Sequence, residues 1–322
     1  MKLPEIFDVI CIGAALVDMV AKVERHPVED DEVFVSDLKL LSGGAAANTA
    51  YACAKLGLNT AFIGKIGPHD EFGGKIIDDF KEVSLNTSLI KYSDIYGTGS
   101  AYVALNPAGD RRIYAHSGAA NYLSKEDIVP DEIKQTRVVF LSSLKNIEPF
   151  IEAARIARKQ EINVILNPGM LIIEQGLENI KLLLEKVDIL ILSQREYMTL
   201  LSIQERDLDE DRIVNTSGTL LRLNLKLLIV TMGKKGAFLT NGKDTVMISP
   251  SIVEEVIDTT GAGDAFSAGF IYKFVQHLSY NIEQLKVDVK YGNFIAGKCI
   301  QKLGARNGIL TEEELITIIE EK

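Results

Sequence analysis

The sequence predicts an α/β protein: a mostly parallel sheet covered by helices on both faces. Short apolar, branched runs alternate with helical patterns along most of the 322 residues, and such runs fit strands that are buried on both faces. Hydrophobic residues make up 47% and charged residues 25%, the balance of a soluble globular chain. The length suits one large domain or a domain carrying an insertion.

DVICIG (8–13) is a compact apolar run closed by Gly, as in a buried strand. EVFVSDLKLL (32–41) alternates poorly and has no helix before the two glycines that follow. AANTAYACAKLG (46–57) reads as an Ala-rich helix stopped by Gly57. TAFIGKIG gives the next strand and DEFGGKIIDDFKEV the next helix. TGSAYVALNPAGDRRIYAHSG (98–118) reads as two strands joined by a turn at NPAGD. This hairpin and the 32–41 segment form either a small β-rich flap on the core or an edge of the main sheet, and periodicity favours neither. RVVFLSSL, NVILNPG, VDILIL and LKLLIVTMG continue the strands, with helices at EPFIEAARIARKQ and LENIKLLLEKV. IVEEVI (252–257) reads as a last strand, and AFSAGFIYKFVQHL as a helix with a wide apolar stripe.

Composition narrows the function. Lys and Arg total 35 against 45 Asp and Glu, a net charge of −10, so nucleic acid is not expected as a partner. Cys11, Cys53 and Cys299 lack paired spacing, which argues against a disulfide framework or zinc site. His26, His69, His116 and His277 are dispersed, as surface or packing residues would be. The start MKLPEIFDVICIG is unlike a signal peptide, and no apolar stretch is long enough to cross a bilayer. A cytoplasmic protein without a membrane partner is expected.

There is neither a GxxxxGK[ST] loop nor a GxGxxG after the first strand. DTTGAGDAF (258–266) offers a different anion site. Gly261 and Gly263 permit a tight turn, and the helix start behind them presents bare N–H groups at the positive end of a dipole. Asp264 puts a carboxylate at the same place. One reading is an ordinary acidic first turn. The other is phosphoryl transfer, in which the N–H groups take the charge of the moving phosphoryl oxygens while the carboxylate accepts the proton of the attacking hydroxyl. The dipole is expected to keep Asp264 ionised.

DTTGAGDAF resembles the C-terminal signature of the ribokinase-like (PfkB) carbohydrate kinases. SGGAAANTAYACAKLG (42–57) is similar to their N-terminal signature, and GKIGPHDEFG (64–73) to the segment after it. The order and spacing agree along essentially the whole chain. The resemblance implies a single kinase domain over 1–322, a three-layer α/β core and a β-strand lid from about 14–42 and 96–118. It implies ATP and Mg2+, K+ in some members, a small-molecule sugar or nucleoside as acceptor, and a homodimer formed through the lid. Asp264 becomes the general base, with Gly261, Ala262 and Gly263 as its anion hole. Asp18, Gly43, Gly44 and Asn48 become acceptor-binding residues; on their own residues, Asp18 could be a helix N-terminal acid and the glycines a turn into the helix. Ligands of open α/β sheets gather just after the first strand, where Asp18 falls.

TMGKKG (231–236) is similar to the family's nucleotide segment and points to Thr231, Gly233 and Gly236, although a plain hairpin turn would also use those glycines. Asn293 corresponds to a residue beside adenine, Glu196 to a magnesium-associated acid, and Asp258 and Thr260 to a monovalent-cation site. The chain departs from the pattern in four places. Ser193 replaces the Asn of the Asn-x-x-Glu motif, Leu16 an Asn, Ala45 a Lys, and Ser143 lies near a sugar-binding Glu. The expected activity is ATP-dependent phosphorylation of a primary hydroxyl, and the apolar replacements favour a nucleoside over a free sugar. The rival readings are a sugar- or nucleotide-binding regulator on the same fold, and an interaction protein that borrows the scaffold.

Overall fold

The structure, a computed structural model, describes residues 6–204 and 208–320. Its strands in chain order are β1 (Phe7–Gly13), β2 (Leu16–Val23), β3 (Val35–Gly43), β4 (Thr60–Ile63), β5 (Lys65–Ile66), β6 (Lys91–Tyr92) and β7 (Gly99–Leu105). They continue as β8 (Arg111–His116), β9 (Thr136–Ser142), β10 (Asn163–Asn167), β11 (Ile189–Ser193), β12 (Leu227–Thr231), β13 (Ala237–Thr240) and β14 (Thr245–Ile248). The main sheet has the order β14-β13-β12-β11-β10-β9-β1-β4. From β4 to β12 all its pairings are parallel; β13 and β14 add an antiparallel edge.

Both faces of this sheet are dry. One packs against α1 (Ala45–Lys55), α2 (Glu71–Glu82), α9 (Ala262–Phe274), α10 (Ile282–Cys299) and α11 (Glu312–Glu320). The other packs against α3 (Pro130–Ile133), α4 (Glu148–Lys159), α5 (Met170–Ile173), α6 (Leu177–Leu184), α7 (Gln194–Leu200) and α8 (Glu210–Leu221). Continuous apolar strands such as DVICIG follow from this, because residues of both parities are buried. The stripe expected on α9 is present: Phe266, Phe270, Ile271, Phe274 and Val275 are all buried.

A second, four-stranded sheet has the order β3-β2-β7-β8. The 98–118 hairpin therefore pairs with β2, through β7, and not with an edge of the main sheet. Its turn is made by residues 106–110, with Gly109 at φ 86°. One expected strand is absent. Residues 252–257 are irregular, and Ile252, Val256 and Ile257 are exposed. Pro250 follows β14 without an N–H to extend it, and the end of the run is tied to α10 instead, the Ile257 and Asp258 amides donating to the Ile300 carbonyl at 2.9 and 3.2 Å.

Strand direction places the useful ends together. Gly13, Ser142 and Asn167 lie in register at the carboxyl edge of β1, β9 and β10, and Ser193 and Thr231 at that of β11 and β12. The chain moves from β1 to β4 on one side and returns to β9 on the other, so the strand order reverses at β1, where open α/β sheets form a crevice for ligands.

Asp188 shows how the strands are tied at the opposite edge. Its Oδ2 accepts from the Val164 amide at 2.9 Å, while its carbonyl accepts from the Lys226 and Leu227 amides at 2.8 and 3.1 Å. Asp188→Ala leaves a buried N–H unpaired, and is expected to cost about 1–3 kcal/mol in urea denaturation with turnover unchanged. A stability equal to the parent's would show that this tie is dispensable.

Candidate active site

Two helices begin side by side at the carboxyl edge. Gly44 caps α1 with φ 96° and Gly261 caps α9 with φ 77°. A Cβ on Gly44 would lie 2.4 Å from the Ala14 carbonyl oxygen, and one on Gly261 2.5 Å from the Ala305 Cβ. Both turns therefore require glycine for backbone conformation and for room. Gly263 differs: nothing in the protein would meet a Cβ there, and the residue is exposed. The first N–H groups of α9 have no partner within the helix and lie at the positive end of its dipole, the Ala262 amide donating to the Thr259 carbonyl at 3.3 Å.

Asp264 sits in that first turn. Its Oδ2 accepts from Asn48 Nδ2 at 2.9 Å, and Thr49 Oγ1 donates to its carbonyl at 3.4 Å. Asn48 is itself buried, and its Oδ1 accepts from Arg306 Nε at 2.9 Å. Asp18 stands on β2, not at a helix start, and Gly43 makes room for it: a Cβ on Gly43 would lie 2.5 Å from Asp18 Oδ2. Leu16 reaches the same spot. Asp18, Gly43, Gly44, Asn48, Asp264 and the Gly261–Gly263 turn thus share one cleft wall.

The ionisation expected of Asp264 needs correction. Part of the residue reaches the cleft surface, yet protein crowds its carboxyl, and this burial pushes its pKa up to about 7. The Asn48 hydrogen bond and the Arg306 charge pull it down, and Glu196 adds to the rise. Desolvation outweighs the hydrogen bond and the guanidinium together, so the group titrates near neutrality. Asp18 is also raised, by burial, against the pull of Arg306.

Ser193 and Glu196 form a reciprocal cap on α7. Glu196 Oε2 accepts from the Ser193 amide at 2.7 Å, and Ser193 Oγ accepts from the Glu196 amide at 3.3 Å. Ser and Asn are interchangeable at such a cap, so the departure at Ser193 still anchors Glu196. Thr231 Oγ1 donates to the Leu192 carbonyl at 3.4 Å, and Gly233 and Gly236 make the β12–β13 turn at φ 54° and 93°. Asn293 donates to the Ser249 carbonyl at 2.9 Å and so ties α10 to the irregular 249–257 loop. Between them, Ser251, Ile252, Phe294, Gly297, Lys298 and Gln301 line a cavity of about 320 Å3.

Asp258 and Thr260 are already engaged by protein donors. Asp258 Oδ1 accepts from the Thr260 amide and hydroxyl at 3.0 and 2.7 Å, and its Oδ2 from the Gly304 amide at 2.9 Å. Arg111, from β8, donates to Asp258 Oδ1 and Thr260 Oγ1 at 3.4 and 3.3 Å. A guanidinium thus lies on the side-chain oxygens assigned to a monovalent cation, and they do not fit a second cation while it is there. Among the described residues no group of three or more His, Cys, Asp or Glu could hold a metal by itself. Glu196 does fit magnesium, which is held by one or two carboxylates together with substrate phosphates and water.

Arg111 and Arg306 escaped the sequence reading. For Arg306 the available signal was one cation framed by glycines in GARNG (304–308), directly after a long helix. For Arg111 there was none beyond its place after the NPAGD turn.

Comparison with known proteins fits this arrangement. Residues 7–312 match the pfkB family carbohydrate kinase profile. The chain is 30% identical to a ribokinase of Staphylococcus aureus over 310 residues, 95% of this chain and 98% of that one. It is 28% identical to a bifunctional ribokinase/ribose-5-phosphate isomerase A of Fructilactobacillus sanfranciscensis over 97% of its own length, spanning only 56% of that protein. The structure of Arabidopsis thaliana ribokinase complexed with ribose and ATP superposes with a TM-score of 0.84 at 25% identity, covering 98% of this chain and 99% of that one. No helix among the described residues is long and apolar enough to cross a membrane. The ribokinase-like fold, the profile match and the helix-start cleft together make the chain a member of the PfkB family of carbohydrate kinases, small-molecule phosphotransferases that act on an alcohol group.

Proposed function

We propose that the chain transfers the terminal phosphoryl group of ATP to a primary hydroxyl of a sugar or nucleoside, with Asp264 as the general base. The observation that carries this reading is Asp264 itself, held by Asn48 in the first turn of α9. Asp18 orients acceptor hydroxyls, its carboxylate matched to two donors. The Gly261–Gly263 turn receives charge on the moving phosphoryl oxygens, and Asp264 takes the proton as the acceptor oxygen attacks. Glu196 would hold magnesium together with the nucleotide phosphates, and the ion would supply charge neutralisation there. Thr231, Gly233, Gly236 and Asn293 hold the nucleotide along the carboxyl edge and the adjoining cavity. The sheet β3-β2-β7-β8 is the lid, and the apolar side chains it leaves exposed (Leu38, Leu40, Ile113 and Tyr114) are the surface of a homodimer.

A regulator without activity has little support, because Ser193, the departure in the Asn-x-x-Glu motif, still caps α7 and fixes Glu196. Leu16, beside Gly43 and Asp18, favours a nucleoside, whose base adds apolar contact that a bare sugar lacks.

Asp264→Asn preserves the size and the helix start but cannot accept a proton. Turnover is expected to fall by about 10²- to 10⁴-fold with KM for ATP steady. In the parent enzyme the active form is the ionised one, so kcat/KM for the acceptor should fall as pH drops through about 7 and level off above it. A pH profile flat from 5 to 8, on the order of the range a titrating base controls, would contradict the assignment. In an ATP-consumption screen over pentoses, hexoses, sugar phosphates and nucleosides, nucleosides are expected to show the highest kcat/KM; a clear preference for free ribose or a hexose would move the acceptor to the sugars. Sedimentation equilibrium should give twice the 35.4 kDa chain mass, and a charged residue at Leu38 should return it to one.

A further inference from the structure

Arg306 is a buried cation whose cost is plain. Its side chain is only 9% exposed, and neither Nη1 nor Nη2 has a hydrogen-bond partner. A lone buried charge is expensive unless something compensates it. Here the guanidinium lies 4.9 Å from the Tyr51 ring and 5.6 Å from the Phe80 ring, and Nη1 is 3.6 Å from Asp79 Oδ2. Asp79 is paired in turn with Lys75 at 3.1 Å. The aromatic faces and Asp79 hold the cation in place, but its one well-formed hydrogen bond, from Nε, goes to Asn48.

That bond has a directional consequence. A guanidinium can only donate, so it accepts nothing from the Asn48 amide and must face its oxygen. The NH2 end of Asn48 is thereby turned to Asp264, where it donates to Oδ2 at 2.9 Å. With the amide flipped, its oxygen would oppose the carboxylate and its NH2 would oppose the guanidinium. Cation, amide dipole and carboxylate are aligned, and each polarises the next.

We propose that Arg306 is a positioning residue for the catalytic base: through Asn48 it fixes one oxygen of Asp264 and leaves the other for the acceptor hydroxyl. The role rests on Asp264 being that base. The charged and titratable groups around the pair come from several elements. Asp264 faces Arg306, Glu196 from α7 and Cys299 from α10, while Arg306 also faces Asp18 from β2, Tyr51 from α1 and Asp79 from α2. Of those acting on Asp264, only Arg306 favours its ionised form by charge.

The test is Arg306→Gln, with Arg306→Lys as the charge-keeping variant, measured for folding, KM for ATP, kcat and the pH profile. Arg306→Gln is expected to lower kcat by about 10²-fold, as small misplacements of catalytic groups do. KM for ATP should stay within about twofold, since uniform binding is untouched. The acid limb of kcat/KM should rise by about one pH unit, as follows when an opposite charge is removed from a carboxyl, and Arg306→Lys should restore most of that displacement. An unmoved limb, whether kcat falls or not, overturns the positioning role. If Arg306→Gln does not fold, Asn48→Ser breaks the same chain of bonds from its middle and is read by the same limb. Asp264→Asn is run alongside. Should it keep its turnover, both the base and the positioning role fail; should it lose turnover while Arg306→Gln keeps the parent's profile, only the positioning role fails.

Discussion

The hydrogen bond from Asn48 to Asp264 joins the starts of two helices, α1 and α9, and much of the molecule is arranged to allow it. Helices can begin this close only if the chain enters each through a glycine, which Gly44 and Gly261 supply. Their bodies must also approach. α1 presents buried alanines at 46, 47, 50 and 54 to the core it shares with α9. A Cβ on Gly292 would lie 2.9 Å from the Phe266 ring, so α10 closes in on α9 where it has no side chain. The parallel sheet then sets the level, by bringing the ends of its strands to one edge beneath the helix starts.

Charge at this junction is balanced on a narrow margin. An acidic chain places Asp18, Asp79 and Asp264 around a buried cation, Arg306, while Glu196 bears on Asp264. Burial pulls that guanidinium down to about 10 and pushes Asp264 up to about 7, while their mutual attraction opposes both changes. An acid that titrates near neutrality is well matched to a general base, whose strength and availability trade against each other. The same carboxyl fully exposed in a helix first turn would be a weaker proton acceptor.

The sheet and its helices were legible because each strand run, such as DVICIG or RVVFLSSL, is continuous and apolar for a local reason, burial on both faces. The 252–257 run carried the same local signal without becoming a strand; its end is tied by backbone hydrogen bonds to Ile300 after α10, a long-range contact that no local pattern encodes. The same division runs through the site. Gly44 and Gly261 could be read as helix starts, since backbone conformation demands them. The ionisation of Asp264 could not, because it depends on protein packed around the carboxyl from distant segments. Arg306 carries no periodicity and only a glycine frame around it, and its importance is visible only once Tyr51, Phe80, Asp79 and Asn48 surround it.

The Asn48 amide is bonded on one side to a residue 216 positions later and on the other to one 258 positions later. During synthesis, α1 and the first strands leave the ribosome long before either partner exists. β1 in the meantime lacks β9, the neighbour that closes its second edge. Contacts of such long range are slow to form and leave apolar surface exposed while they wait. Assembly of this cleft is therefore a late event in the life of each molecule, and nascent chains that still lack the turn at Gly304–Arg306 have most of the core and none of the completed wall.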